Sequence, residues 1–197
     1  MWQIINSMNL VIFGPPGAGK GTQSKFIVKK FNLFQLSTGE ILRNEIEKKT
    51  ELGNEISSII NSGKLVSDNI VSNLIEKYVS NEKFKNKLIF DGYPRNLSQA
   101  KNLDILLKKY NQKIDIVFKL SVSLETIKKR ISERLSQEKR ADDNEEVVIN
   151  RFKTYEKSTE PVIDYYEQSN LLKVVNGEAG ISEINTEISR IIDTIKG

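Results

Sequence analysis

Leu10-Val11-Ile12-Phe13-Gly14-Pro15-Pro16-Gly17-Ala18-Gly19-Lys20-Gly21-Thr22 is the stretch whose reading decides the fold. Four apolar residues read as a buried strand, the segment after Lys20 reads as a helix, and a Gly/Pro run joins them. Strand, Gly-x4-Gly-Lys turn and helix together form the sequence context of a phosphate-binding loop. Glycine lets the backbone come close to a polyphosphate with its N–H groups pointing inward. The helix N-terminus adds a favourable dipole, and Lys20 can reach the terminal phosphates. Gly21 stands where such loops usually carry the Ser or Thr that binds magnesium, and Thr22 comes one place later. The metal is therefore expected to be held through water by Thr22 and by a carboxylate elsewhere. The bland alternative, a plain strand-to-helix turn, explains neither the spacing nor the extra glycines at 17 and 21.

The 197 residues, 38% hydrophobic and 28% charged, suit one compact core with small appendages. No apolar run nears the roughly 20 residues that cross a bilayer. No secretory leader pattern opens the chain, so a cytoplasmic location is expected, without a membrane partner. Met8 is the expected original start. Net charge is +4, but the lysines are interspersed with glutamates. That pattern reads as a solvated surface rather than a nucleic-acid patch, and the excess suits phosphate ligands equally. The chain has no cysteine and no histidine. Disulfides, thiol nucleophiles, Cys-ligated zinc and the usual general base are excluded. Transfer between phosphates needs none of these, because a phosphate oxygen is already anionic at pH 7.

Short β-rich runs alternate with helical patterns, which predicts an α/β fold with a parallel sheet covered on both faces. The expected strands are Asn9–Phe13, Phe34–Ser37, Leu88–Asp91, Ile114–Leu120 and Leu171–Val175. Apolar stripes at Leu103, Leu106, Leu107 and Tyr110, and at Ile181, Ile184, Ile188, Ile191, Ile192 and Ile195, are expected to face the core. Two stretches interrupt the alternation. Thr38 to Val66 is helix-rich and opens with a capping box at Ser37-Thr38-Gly39-Glu40. Glu133 to Asp143 is almost without apolar residues and reads as a mobile surface loop. A helix capped by Asp143 or Asn144 should run toward Lys157, with a break at Ser158–Glu160 before Pro161 restarts it.

Arginine is scarce beside lysine, so its placement is informative. Arg43 lies on the helix opened by Ser37. Arg95 follows Asp91-Gly92-Tyr93-Pro94 at the end of the third strand. Arg130, Arg134 and Arg140 frame the polar loop, and Arg151 borders an apolar stripe of Val148, Phe152 and Tyr155. Each alone reads as a surface ion pair; as a set near a phosphate loop they suit bidentate phosphate binding. Asp91 ends an apolar strand, where α/β sheets gather their ligands, and suits magnesium through bound waters. A turn aspartate is the bland alternative.

On these residues the chain resembles the adenylate kinase family of nucleoside monophosphate kinases, from Met8 to the last helix. The motifs are Gly14–Gln23, Ser37-Thr38-Gly39-Glu40 with Arg43, Gly63-Lys64-Leu65-Val66, Asp91-Gly92-Tyr93-Pro94-Arg95 with Gln99, and Arg140-Ala141-Asp142-Asp143-Asn144-Glu145-Glu146 with Arg151. The resemblance implies reversible, magnesium-dependent phosphoryl transfer from ATP to AMP, giving two ADP, by a monomer. It also implies a three-layer P-loop fold with a parallel central sheet flanked by helices. The core would be 1–36, 67–132 and 144–197, the NMP-binding insertion 37–66, and the short lid 133–143. Gly17, Ala18, Gly19, Lys20, Gly21 and Thr22 would hold ATP phosphates. Arg130 would pack on the ATP adenine beside Ala179, and Arg134 would also contact ATP. Arg43 and Arg95 would clamp the AMP phosphate. Thr38, Lys64, Leu65, Val66, Gly92, Tyr93, Pro94 and Gln99 would surround AMP. Lys20, Arg95, Arg134, Arg140 and Arg151 would neutralise the transferring charge, the last two also touching AMP. Asp91 and Thr22 would orient magnesium waters.

The short lid, without cysteines, implies no structural zinc. Glu40, Ser67 and Tyr93 depart from the residues the family commonly has there. UMP/CMP kinases share most of the motifs, and Asn96 is reminiscent of them, but Thr38 with Gln99 favours AMP. A nucleotide-dependent switch or binding module is the third reading. Its guanine motif would have to be Asn111-Gln112-Lys113-Ile114-Asp115, which is one residue too long.

Overall fold

The computed structural model describes residues 7–137 and 145–196. Five strands, β1 (Leu10–Phe13), β2 (Phe34–Ser37), β3 (Leu88–Asp91), β4 (Ile116–Ser121) and β5 (Leu172–Asn176), form one parallel sheet ordered β2-β3-β1-β4-β5. Helix α1 (Lys20–Phe31) joins β1 to β2. Helices α2 (Thr38–Glu47), α3 (Glu51–Asn61) and α4 (Asp68–Val79) precede β3, and α5 (Leu97–Lys109) leads to β4. Helices α6 (Leu124–Gln137), α7 (Glu145–Thr154) and α8 (Glu160–Gln168) precede β5, and α9 (Ile181–Lys196) follows it.

Both faces of the sheet are buried along its central strands β1, β3 and β4, and the side chains sort between them with period two. Leu10, Ile12, Ile89, Ile116, Phe118 and Leu120 pack with Ile27 and Phe31 of α1 and with Ile184, Ile188 and Ile192 of α9. Val11, Phe13, Leu36, Leu88, Phe90 and Val117 pack with α4, α5 and α8. Each fully buried Ile, Leu or Phe contributes about 1.5–3 kcal/mol relative to exposure. The α9 stripe is narrower than expected, because Ile181 and Ile195, at the helix ends, are exposed.

Register places the site. Ser37 and Ile12 both lie opposite Asp91, so the carboxyl ends of β1, β2 and β3 are level. The chain leaves these three strands at Gly14, Thr38 and Gly92 along one edge. At the opposite end Asn9, fully buried, ties three segments together. Its Nδ2 donates to the Lys113 carbonyl (3.0 Å) and to Gln112 Oε1 (3.2 Å), and its Oδ1 accepts from the Leu88 N–H (3.1 Å).

Two expectations need correction. Residues 133–137, assigned to a surface loop, continue α6 as helix. Glu, Arg and Gln are good helix formers, so a lack of apolar residues argued against burial, not against helix. The rest of that stretch, including Arg140 and the capping Asp143 and Asn144, lies outside the described residues. The expected break at Ser158–Glu160 is instead a π-turn over Tyr155–Thr159, which carries the helix into α8 with Pro161 near its start. The missing proline N–H is absorbed in a first turn, where the helix can spare it.

Candidate active site

The loop between β1 and α1 folds back on itself. The Ala18 N–H bonds the Pro15 carbonyl (3.1 Å). Gly17 (φ 83°) and Gly19 (φ 90°) occupy the left-handed region that favours glycine. Space adds a second demand at Gly17: a Cβ there would lie 3.1 Å from Ile131 and 3.2 Å from Ile127 on α6. Lys20 Nζ reaches over the loop to the carbonyls of Gly14 (2.7 Å) and Pro15 (3.1 Å).

Burial pushes the Lys20 ammonium down from 10.5 to about 8. Asp91 opposes that fall, whereas Arg95, Arg151 and Arg134 add to it by repulsion. One carboxylate and four cations thus share a confined space at the end of the sheet. Such a cluster is electrostatically unfavourable until an anion enters it.

The side expected to take the acceptor is built by α2, the turn after α3, and the β3–α5 loop. A cleft of about 550 Å³ is lined by Thr38, Gly39, Arg43, Lys64, Leu65, Val66, Gly92, Arg95, Gln99 and Arg151, with apolar Leu42, Ile60 and Val71 among them. Two guanidinium groups converge over Gly39: a Cβ there would lie 3.4 Å from Arg43 and 3.6 Å from Arg95. The β3–α5 loop is braced from within. Thr38 Oγ1 donates to the Gly92 carbonyl (2.9 Å), as does Arg95 Nε (2.7 Å). Gln99 Oε1 accepts from the Arg95 N–H (2.7 Å). Thr159, in the π-turn, donates to the Arg95 carbonyl (2.9 Å).

A second cleft, about 520 Å³, lies against the phosphate loop and is lined by Gly14, Pro16, Lys20, Pro94, Thr154, Tyr155 and Thr159. It shares Gly63, Leu65, Gly92, Arg95 and Arg151 with the first. The two clefts therefore meet across Arg95 and Arg151, with Lys20 on the phosphate-loop side.

Lys20, Thr38, Arg43, Lys64, Leu65, Val66, Gly92, Pro94, Arg95, Gln99 and Arg151 of the expected residues line these clefts, whereas Gly17, Ala18, Gly19, Gly21 and Thr22 line neither. Pro94 lines the cleft against the phosphate loop rather than the one beside α2, where it was expected. Tyr93 lines neither cleft; its ring is buried and its hydroxyl donates to the Gln99 carbonyl (3.3 Å), so it supports the wall from behind. Arg130 lies apart from the clefts. It bridges the phosphate loop and the β5–α9 turn, with Nη2 on the Gly177 carbonyl (2.8 Å) and Nη1 on the Ala18 carbonyl (3.5 Å). Ala179 is half-buried in that same turn. Sequence reading missed Asp68, Thr154 and Thr159, whose short polar side chains look like ordinary helix-end residues.

Asp91 is buried, accepts a hydrogen bond from Gln35 Nε2 (2.8 Å), and sits 3.9 Å from where a Cβ on Gly21 would stand. Its carboxylate therefore faces the first turn of α1, where Thr22 is exposed. An oxygen donor beside a phosphate loop fits a hard cation that keeps most of its waters. Among the described residues, no group of three or more Asp or Glu side chains could hold a metal directly. No described helix is long and apolar enough to cross a membrane.

Comparison with known proteins identifies the family. The adenylate kinase family model matches residues 12–171. An adenylate kinase of Pelagibacter ubique is 43% identical, covering 94% of this chain and 99% of its own length. Those of Prochlorococcus marinus and Bifidobacterium longum are 43% and 41% identical, each covering 92% of this chain and 97% of its own length. The chain that carries this phosphate loop, these paired arginines and these two joined clefts thus belongs to the adenylate kinase family.

Proposed function

We propose that this phosphotransferase moves the terminal phosphoryl group of ATP to AMP, reversibly, giving two ADP. The observation that carries the reading is the pair of clefts sharing Arg95 and Arg151, one against the phosphate loop and one against α2. Two nucleotides placed tail to tail there would bring their phosphates together over Lys20. An AMP phosphate oxygen attacks the γ-phosphorus in line, and the bond from that phosphorus to the β-bridging oxygen breaks. No proton need move, which fits a chain without histidine.

The residues position and neutralise. Gly17 to Thr22 hold the ATP phosphates and Arg130 packs on the adenine near Ala179. Arg43 and Arg95 clamp AMP, with Thr38, Lys64 to Val66 and Gln99 around it. Lys20, Arg95, Arg134 and Arg151 balance the charge spread over the transferring group; Arg140 is assigned the same task by resemblance. Asp91 and Thr22 would hold magnesium through water, and the ion would supply charge neutralisation on the phosphate oxygens. Closure of a lid beginning near 133 would keep out the water that otherwise competes as acceptor. The same reading describes a cytoplasmic monomer whose partners are ATP, AMP and ADP.

A coupled assay with MgATP and AMP, CMP or UMP as acceptor tests the reading. AMP should be phosphorylated fastest. Faster turnover of UMP or CMP would make the chain a pyrimidine monophosphate kinase. Nucleotide-dependent partner binding without ADP formation would make it a switch.

A further inference from the structure

We propose that Asp68, the first residue of α4, sets base selectivity in the acceptor cleft by locking the Gln99 carboxamide in one of its two orientations. This rests on the reading that Gln99 meets the acceptor base. The two ends of a glutamine amide are nearly the same size, and turning it over exchanges donor for acceptor. At Gln99 both ends oppose that turn. Oε1 accepts from the Arg95 backbone N–H (2.7 Å), a group that can only donate. Nε2 donates to Asp68 Oδ1 (2.7 Å), a carboxylate that only accepts when ionised. Turning the amide would set N–H against N–H and oxygen against carboxylate.

The carboxylate is the stronger of the two locks, since a hydrogen bond to a charged acceptor is about twice as strong as a neutral one. Asp68 is itself held in place. Its Oδ1 also accepts from Asn96 Nδ2 (3.0 Å), and Asn96 Oδ1 caps α5 through the Gln99 N–H (2.8 Å). Gln99 is 2% exposed yet lines the cleft, so little besides a ligand can compete for its amide.

Locked this way, the amide has one N–H and one oxygen lone pair left for a ligand. An adenine edge sets a ring-nitrogen acceptor beside an amino donor, which matches. Hypoxanthine has nearly the same shape but sets a ring N–H donor beside a carbonyl acceptor, which matches only the turned amide. The lock therefore selects aminopurine over oxopurine monophosphates.

The test compares kcat/KM for AMP and IMP, with MgATP, in the unaltered chain and in Asp68→Asn, Asp68→Glu, Gln99→Leu and the Asp68→Asn/Gln99→Leu pair. Asparagine matches aspartate in size but is uncharged and can donate as well as accept, so it weakens the lock at the Nε2 end and leaves only the Arg95 N–H to oppose the turn. Asp68→Asn should lower the AMP-to-IMP ratio by about tenfold, the scale of one bidentate base contact, chiefly through KM and with the KM for ATP unchanged. Asp68→Glu keeps the carboxylate and should retain most of the ratio. Gln99→Leu should collapse the ratio, and adding Asp68→Asn to it should change nothing further. If Gln99→Leu collapses the ratio and Asp68→Asn leaves it intact, the lock is overturned. If Gln99→Leu itself leaves the ratio intact, Gln99 does not meet the base and the premise falls with it.

Discussion

Gly53→Ala should destabilise this protein, although a glycine-to-alanine change in a helix normally does the opposite. Gly53 lies in the first turn of α3, where a methyl group alone would gain up to about 1 kcal/mol of helix propensity. The backbone of α2 is in the way. A Cβ at Gly53 would stand 2.1 Å from the Glu45 carbonyl oxygen, 2.4 Å from its carbon and 2.8 Å from the Ile46 nitrogen. All three are main-chain atoms, so no side chain can swing aside. Opening that contact to an ordinary 3.4 Å requires the two helices to part by about 1.3 Å. Overpacking of this kind costs about 1–3 kcal/mol, enough to outweigh the propensity gain. The melting temperature should fall by about 5 °C. The same shift moves Thr38 and Arg43, which α2 carries into the acceptor cleft. The KM for AMP should then rise by about tenfold while that for ATP holds. Differential scanning fluorimetry and steady-state kinetics read both effects. A melting temperature that rises, with unchanged kinetics, would refute the close approach of α2 and α3.

Lys20→Met should cut turnover by roughly a thousandfold, because it removes charge at the phosphoryl group, and leave the circular dichroism spectrum unchanged. Near-normal turnover would remove Lys20 from the active site. The same variant isolates a pH effect. Below about pH 8 both folded and unfolded chains hold the Lys20 proton, and burial of that charge lowers folded stability by about 3 kcal/mol. Between about 8 and 10.5 the folded chain has released the proton while the unfolded chain keeps it, so rising pH removes the penalty. The stability of the ligand-free protein, followed by urea unfolding, should therefore climb relative to Lys20→Met across that window. A difference independent of pH contradicts it. Arg95→Ala should raise the KM for AMP and lower turnover, together by about a hundredfold in kcat/KM. Unchanged values would take the Asp91–Arg95 stretch out of the acceptor cleft.

What could be read from the chain depended on how local its cause was. β2 and β3 begin and end as expected, because β2 alternates apolar with polar residues and β3 is a short apolar run closed by Asp91, and the other three differ by one or two residues at an end. The phosphate loop was legible because its glycines answer a backbone demand that only glycine meets cheaply, as φ at Gly17 and Gly19 bears out. Long-range effects were not legible. Asn9 reads as a strand-edge residue, yet it is bonded to Gln112 and Lys113 more than 100 positions away. The π-turn is invisible locally, since Tyr155–Thr159 has no helix breaker. What accompanies it is the hydrogen bond from Thr159 to Arg95, 64 residues earlier. Nothing local singles out Asp68 at the start of α4, and only the fold brings Gln99 and Asn96 onto its carboxylate.

The most direct test of two phosphate-linked clefts is the affinity of a mimic joining two adenosines through five phosphates, measured by isothermal titration calorimetry with magnesium. The mimic should bind at one-to-one stoichiometry, far more tightly than ATP, and displace both ATP and AMP. Binding no tighter than that of ATP, or displacement of ATP alone, would mean that the clefts do not share one anionic junction.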